Sequence, residues 1–374
     1  MSSDIRRITE SRPMMDRRSC RTGFLWSPTF DSHDYGRRHP IRRNRFTYIK
    51  ESVEAEGCLD SSRLDILETD MLPEDVLRAV HSSDYISRVR EISQSGLGNI
   101  ADDTPGFKGI YENALSVSGA TVWGIRSILS GSIDHFFSPT GGFHHARYDG
   151  GGGFCVFNDL AAAVYELRSS GFQKILIADF DAHHGNGTQT YYYDSPDVMQ
   201  ISFHEDPEWM YPHDGFIKDV GAGEGIGYNV NMWFPMDSGD EVYRFAFSEL
   251  VPPLVDSFGP DFILFLPGFD AHYLDPLTHM NLTTETIQYV AESMHRFAHQ
   301  YSEGRLGVLS GGGYHPRALG SGACAVLSIL TGSEYAAPPQ SPPFDHDDEE
   351  TWRIVRENVS VLKSLVFPMH GLDT

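Results

Sequence analysis

Asp179, Asp181 and His183 alternate through Asp179-Phe180-Asp181-Ala182-His183, directly after the apolar run Ile175-Leu176-Ile177-Ala178 that follows Lys174. In an extended chain residues two apart share a face, so two carboxylates and an imidazole converge where such a strand ends. Oxygen and nitrogen donors in that arrangement suit a divalent metal. An isolated D-x-H is as readily a solvated loop, and three further clusters tip the balance. Pro139-Thr140-Gly141-Gly142-Phe143-His144-His145-Ala146 sets adjacent histidines in a Gly-rich loop, followed by Gly150 to Gly153 and Phe154-Cys155-Val156-Phe157-Asn158-Asp159. Pro267-Gly268-Phe269-Asp270-Ala271-His272-Tyr273-Leu274-Asp275-Pro276 follows the apolar run Phe262 to Leu266, and Ser310-Gly311-Gly312-Gly313-Tyr314 follows Leu306 to Leu309.

Each cluster stands just after a predicted strand, which is where an open, mostly parallel α/β sheet carries its active site. The spacing predicts helix over Tyr111 to Ser130, strand over Asp134 to Ser138, and a helix capped by Asn158-Asp159 and closed by Gly171. Strand Lys174 to Asp179 comes next. After a turn-rich stretch, Asp240 to Val251 reads as helix until Pro252-Pro253 interrupts it, and Asp261 to Leu266 as strand. A helix from Thr283 to Tyr301 with Thr283 as N-cap, strand Leu306 to Leu309 and a helix from Ala318 to Leu330 complete the alternation. Such alternation implies a parallel sheet covered on both faces.

Taken in order, PTGGFHHA, GGFCVFND, DFDAHHGNGT, PGFDAHYLDP and SGGGYHP resemble the histone deacetylase superfamily, in its class II-like bacterial and acetylpolyamine amidohydrolase group. Weaker likeness runs upstream through Thr22-Gly23-Phe24-Leu25, Arg38-His39-Pro40 and Val80 to Tyr85. The resemblance implies one arginase-like α/β domain over 1–374, with an N-terminal arm (1–21), an exposed connector (337–350) and a C-terminal helix and tail (351–374). It implies a zinc-dependent amidohydrolase acting on linear amides. Asp181, His183 and Asp275 would be the metal ligands; with no thiolate in the set, Fe2+ or Co2+ would also fit. His144 and His145 would take a proton from the attacking water and give one to the departing amine, in an order that stays open. Asp179 would lie behind His144 and Asn186 behind His145, where class I enzymes carry Asp. Tyr314 would donate to the oxyanion. Gly153, Phe154, Tyr211 and Leu277 would line the substrate tunnel, and Asp102 or Asp103 would stand at its rim. A K+ or Na+ site would use Asp179, Asp181, His183, Ser202 and Phe203.

The substrate implied is an acyl-lysine peptide or another N-acyl amine. Leu277 stands where some polyamine-selective relatives carry Glu, yet an acetylpolyamine hydrolase stays open, as does a silent acyl-lysine binder that keeps the fold. An arginase-type hydrolase would need a second complete ligand set, and none is visible in the sequence. A chain of 374 residues with 40% hydrophobic content can bury one large core. Residues 1–50 hold 12 of the 29 Lys and Arg but 5 of the 52 Asp and Glu, leaving 17 basic against 47 acidic residues beyond. That acidic body would repel nucleic acid and favour cationic ligands. The basic segment Arg37 to Arg43 reads as a subunit contact or as a solvated loop, and a homo-oligomer is expected. No apolar stretch is long enough to span a bilayer and no secretory leader is evident, so the cytoplasm is expected. Cys20, Cys58, Cys155 and Cys324 are scattered, which suggests neither a disulfide framework nor a thiolate zinc site.

Overall fold

A computed structural model describes residues 20–32, 34–36, 39–41, 44–342 and 347–374. The chain opens with β1 (Thr22–Trp26), α1 (Arg45–Ala55), β2 (Leu64–Glu68), α2 (Glu74–Val80) and α3 (Ser83–Ser95). A small hairpin, β3 (Asn99–Ala101) and β4 (Thr104–Pro105), leads to α4 (Ile110–Leu129), β5 (His135–Ser138), α5 (Asp159–Ser169) and β6 (Ile175–Asp179). Then come α6 (Asn186–Tyr192), β7 (Val198–Glu205), β8 (Asn229–Phe234), α7 (Asp240–Phe258) and β9 (Phe262–Leu266). The chain finishes with α8 (Thr284–Tyr301), β10 (Leu306–Leu309), α9 (Pro316–Thr331) and α10 (Glu349–Val366).

Eight strands form one sheet in the order β2-β1-β5-β10-β9-β6-β7-β8, every pair parallel. This is a single α/β domain of the predicted class. The central strands β6, β9 and β10 are short apolar runs buried along their whole length, as helices on both faces require. The strand order has one decisive consequence. β5, β10, β9 and β6 are consecutive neighbours, so the four polar clusters, 170 residues apart at the extremes of the sequence, emerge side by side at one edge.

Local chemistry explains most boundaries. Asn158 caps α5 by accepting from Ala161 N at 2.8 Å, and Thr283 caps α8 by accepting from Glu285 N at 3.3 Å. Pro316 opens α9 at its first helical position. The sequence misleads at α7, which continues through Pro252-Pro253 to Phe258. The prolines withhold two donors from the ladder, but Leu250, Val251, Leu254, Val255 and Phe258 are all buried, and that packing outweighs the loss. The turn-rich stretch conceals β7 and β8, because buried polar residues break their apolar signature. Gln189 Oε1 accepts from Asn229 Nδ2 at 2.8 Å and from Asn231 Nδ2 at 2.9 Å, so the side-chain amide donors of these β8 residues have a partner inside the fold.

Residues 1–19 of the expected arm, and Arg37, Arg38, Arg42 and Arg43 of the basic segment, lie outside the described residues. The connector is stitched down at two points. Gln340 accepts from Thr284 N at 2.8 Å, and Asp347 accepts from Gly239 N, Glu241 N and Val242 N at 2.8, 3.0 and 3.2 Å. The residue preceding α7 is Gly239, which has no side chain to cap with, so Asp347 supplies the cap from a distant segment. Among the described residues no helix is long and apolar enough to cross a membrane. Asp347→Ala is expected to cost about 1–2 kcal/mol in denaturant unfolding, because the amides at the start of α7 lose the acceptor that caps them.

Candidate active site

The loop after β5 is shaped by Asp159, a buried residue that sequence reasoning assigned to helix capping. Its carboxylate accepts from Phe143 N at 2.7 Å, Gly142 N at 3.1 Å and Thr121 Oγ1 at 2.6 Å. Thus anchored, the loop presents His144 and His145 to the loop after β6. His144 Nδ1–H donates to Asp179 Oδ2 at 2.7 Å, and its Nε2 lies 3.0 Å from His145 Nε2. His145 Nδ1 faces Asn186 Oδ1 at 2.9 Å, an oxygen that also accepts from Gly187 N. An amide oxygen only accepts, so His145 carries its proton on Nδ1 and holds its Nε2 lone pair toward His144.

The two imidazoles are driven apart in protonation. Burial disfavours charge on His144, but Asp179 and Asp181 outweigh it and lift its pKa to about 9. Burial and then the positive charge of His144 push His145 well below 6.5, with Asn186 opposing weakly. At neutral pH His144 is charged and His145 is neutral.

Asp181 Oδ1 accepts from His183 N at 3.0 Å, and its Oδ2 accepts from Gly312 N at 2.6 Å. His183 Nδ1 lies 3.1 Å from Asp181 Oδ1 and 2.9 Å from Asp270 Oδ2. Asp181, His183 and Asp270 thus place donor atoms within 4.8 Å of one another. Sequence reasoning missed Asp270, whose only signal is an acid in a strand-end loop. Asp275 accepts from Leu277 N at 3.0 Å and Tyr314 N at 2.7 Å, and its charge reaches Asp181 and His183. Burial pushes Asp270 to about 7 and Asp275 to about 6. Three buried carboxylates around one imidazole are a site that a divalent cation would stabilise, so the donor set fits one.

Glycine is required where loops meet. A Cβ on Gly312 would lie 2.1 Å from Asp270 Oδ2, and one on Gly153 would lie 2.1 Å from His145 Cδ2. Gly153 and Phe154 both take left-handed φ, at 53° and 67°. The β3–β4 hairpin holds them there: Asp103 accepts from Gly153 N at 3.0 Å, and Thr104 Oγ1 accepts from Phe154 N at 3.0 Å. Of the two rim candidates, Asp103 therefore faces the site while Asp102 is exposed. Phe154 stands between the rings of His39 and Tyr314, at 4.4 and 5.9 Å, and the Tyr211 ring meets His145 edge-on at 5.0 Å. Leu277 is half-buried beside Asp275.

The pocket is lined by His144, His145, Phe154, Asp181, His183 and Tyr314, among others. It reaches inward to Arg45, which the sequence reading did not identify. Arg45 donates to Gly313 O at 3.1 Å and Gly311 O at 2.7 Å, fixing the loop that carries Tyr314. On the far side of the Asp179–His183 loop, β7 brings Ser202 beside Asp179 and packs Phe203 on Phe180 at 5.2 Å. His204 Nε2 donates to Gly215 O, so its Nδ1 accepts the Ser202 hydroxyl and leaves the Ser202 oxygen lone pairs free to face a cation.

A charged and a neutral imidazole beside a carboxylate-rich donor cluster, at the carboxyl ends of adjacent parallel strands, define an α/β amidohydrolase. Residues 39–330 match the histone deacetylase domain, and the chain belongs to that family. It is 32% identical over 301 residues to the acetoin utilization protein AcuC of Bacillus subtilis (strain 168), covering 78% of this chain and 77% of that protein. A probable deacetylase of Archaeoglobus fulgidus is 33% identical over 337 residues, covering 89% and 92%. Among solved structures the HDA15 HD domain superposes with a TM-score of 0.82 at 26% identity, covering 94% of this chain and 97% of that one. The protein is a hydrolytic deacetylase whose substrate is an acyl amine, in a family that is zinc-dependent in general.

A histidine-resolved NMR titration is expected to find His144 protonated until about pH 9 and His145 neutral throughout the physiological range. Asp179→Asn removes a cause that raises His144, so the His144 transition is expected to move to lower pH. A transition that stays near pH 9 in that variant would assign the shift to another group.

Proposed function

We propose that the enzyme removes an acetyl or other acyl group from acyl-lysine in peptides or proteins. The observation that carries this reading is the geometry of two imidazoles in direct contact, His144 bonded to Asp179 and His145 to Asn186, in a pocket that Phe154, Asp181, His183 and Tyr314 line. Tyr211 and Leu277 would extend that wall toward the substrate. Asp181, His183 and Asp275 would hold Zn2+, or Fe2+ or Co2+, with Asp270 completing the acidic wall behind His183. Such an ion supplies Lewis-acid polarisation of the amide carbonyl and lowers the pKa of water to about 7.

His145 Nε2 takes the proton of water as its oxygen attacks the carbonyl carbon. Tyr314 donates its phenolic proton in a hydrogen bond to the developing oxyanion. When the carbon–nitrogen bond breaks, the amine nitrogen takes the proton from His144 Nε2, leaving a carboxylic acid and a free amine. The 3.0 Å contact between the two Nε2 atoms then lets the proton on His145 return to His144. Asp179 keeps His144 charged before the step, and Asn186 holds the His145 proton on Nδ1 so that Nε2 is the nitrogen left to act as base. A silent binder has no use for this proton pair.

Asp103 would steady the substrate backbone at the rim, although its present bonds to Gly153 are what shape the tunnel mouth. Asp179, Asp181, His183, Ser202 and Phe203 would hold K+ or Na+, which offsets the carboxylates from behind. A net charge of −23 supports a cationic substrate and speaks against direct nucleic-acid binding. Homo-oligomerisation through the basic N-terminal segment, and residence in the cytoplasm, complete the reading. The four cysteines are buried and none is in a disulfide, which suits a reducing compartment.

The test is hydrolysis of a fluorogenic acetyl-lysine peptide and of N-acetylputrescine by the metal-loaded protein. Peptide turnover is expected, with Tyr314→Phe lowering kcat about 10² to 10³-fold and His145→Ala at least as much. Turnover of the polyamine alone would replace the acyl-lysine assignment with a small-molecule one. Chelation is expected to abolish turnover, with Zn2+ or Co2+ restoring it.

A further inference from the structure

At the opposite edge of the sheet four side chains unused by deacylation converge. Cys20 directly precedes the strand β1, His135 opens β5 beside it, and His295 and His299 lie one turn apart on α8. The topology joins what the sequence separates, since β1 and β5 pair with Thr22 opposite His135. His135 is fully buried, and His295 and His299 are half-buried. His295 Nε2 is 3.2 Å from His135 Nε2 and 3.0 Å from His299 Nε2, and Cys20 Sγ is 4.0 Å from His299 Nε2. The three rings stand nearly perpendicular to one another, at 77°, 81° and 90°.

Hydrogen bonding explains this geometry poorly. Each Nε2 carries either one proton or one lone pair, so His295 Nε2 can make one good bond to its two imidazole neighbours. A metal ion explains it better. With zinc bonds of about 2.05 Å to nitrogen and about 2.3 Å to sulfur, tetrahedral ligands stand about 3.3 Å apart for nitrogen pairs and about 3.6 Å for nitrogen and sulfur. His295 Nε2 lies close to the nitrogen–nitrogen value from both His135 and His299, at 3.2 and 3.0 Å, and Cys20, His135 and His299 place their donor atoms within 4.8 Å of one another, with Cys20 Sγ and His299 Nε2 at 4.0 Å. Histidines at i and i+4 share a helix face, a spacing that chelates zinc in other folds.

We propose that Cys20, His135, His295 and His299 form a second, structural metal site for Zn2+ that fastens the start of β1 to β5 and α8. Four protein donors leave no open position, which distinguishes it from the catalytic cluster. Binding forms one sulfur–metal and three nitrogen–metal bonds and releases the thiol proton of Cys20 to solvent. A surface depression lined by Glu292, Ser293, His295 and Arg296 gives the ion a route in. The scattered cysteines gave no hint of this, because three of the four ligands are histidines and the cysteine lies far from them in sequence.

Cobalt distinguishes the two sites, since only this one has a thiolate. Metal-stripped full-length protein titrated with Co2+ is expected to bind about two equivalents per chain and to develop a near-ultraviolet thiolate-to-cobalt charge-transfer band. Cys20→Ser is expected to lose the band and about one equivalent, to unfold at lower temperature and to keep its deacylase activity. Asp181→Asn is expected to lose the other equivalent and keep the band. A wild-type protein that binds Co2+ without a charge-transfer band, or a band that survives Cys20→Ser, would overturn the proposal; neither readout depends on the deacylase assignment.

Discussion

The fold is organised around the burial of four carboxylates, Asp179, Asp181, Asp270 and Asp275, at the ends of adjacent strands. An unpaired buried carboxylate costs several kcal/mol, so the surrounding chain must supply donors or cations. Backbone amides do much of this: Asp181 N serves Asp179, His183 N and Gly312 N serve Asp181, Ala182 N serves Asp270, and Leu277 N and Tyr314 N serve Asp275. Those donors come from three different loops. The loops are locked to one another because each completes another's solvation, and glycine at 312 follows from how close the chain must pass to Asp270.

That same economy of space makes the histidine pair asymmetric. Both imidazoles are buried and in contact, and two positive charges there would repel strongly. Asp179 and Asp181 decide which one keeps the charge. Asn186, being neutral, fixes the orientation of His145 without adding to its basicity as a carboxylate would. Orientation and basicity, which a single Asp would couple, are separated here between two residues on one loop and the amide that follows it.

Where the sequence was legible, the reason was a local pattern with a local cause. Apolar runs ending in acids or glycines mark β6, β9 and β10, and Asn158 and Thr283 mark caps that bond within a few residues. The site was legible in its clusters for the same reason. What the sequence concealed depended on distant partners. α7 survives two prolines because of what it packs against, β7 and β8 hide behind buried polar residues whose partners lie elsewhere in the chain, as Gln189 does for Asn229 and Asn231, and Asp159 looks like a cap until the loop it holds is seen. Arg45 carried no signal because its partners are carbonyls 266 and 268 residues away.

Parallel strands give a sheet two chemically different edges. At the carboxyl edge, strands β5, β10, β9 and β6 hand over to loops free to carry acids and histidines, and the chemistry collects there. The amino edge receives chain arriving from helices, and its residues are fixed by where each helix ends. His135 and α8's His295 and His299 meet there with Cys20 because β5, the end of α8 and the start of β1 reach the same edge, not because any local sequence pattern joins them. β1 lies next to the outermost strand, on the side of the sheet farthest from β8, and Cys20 stands just before its amino-terminal end. A four-ligand site there would anchor that end to the buried β5 and to α8, whose own packing is extensive.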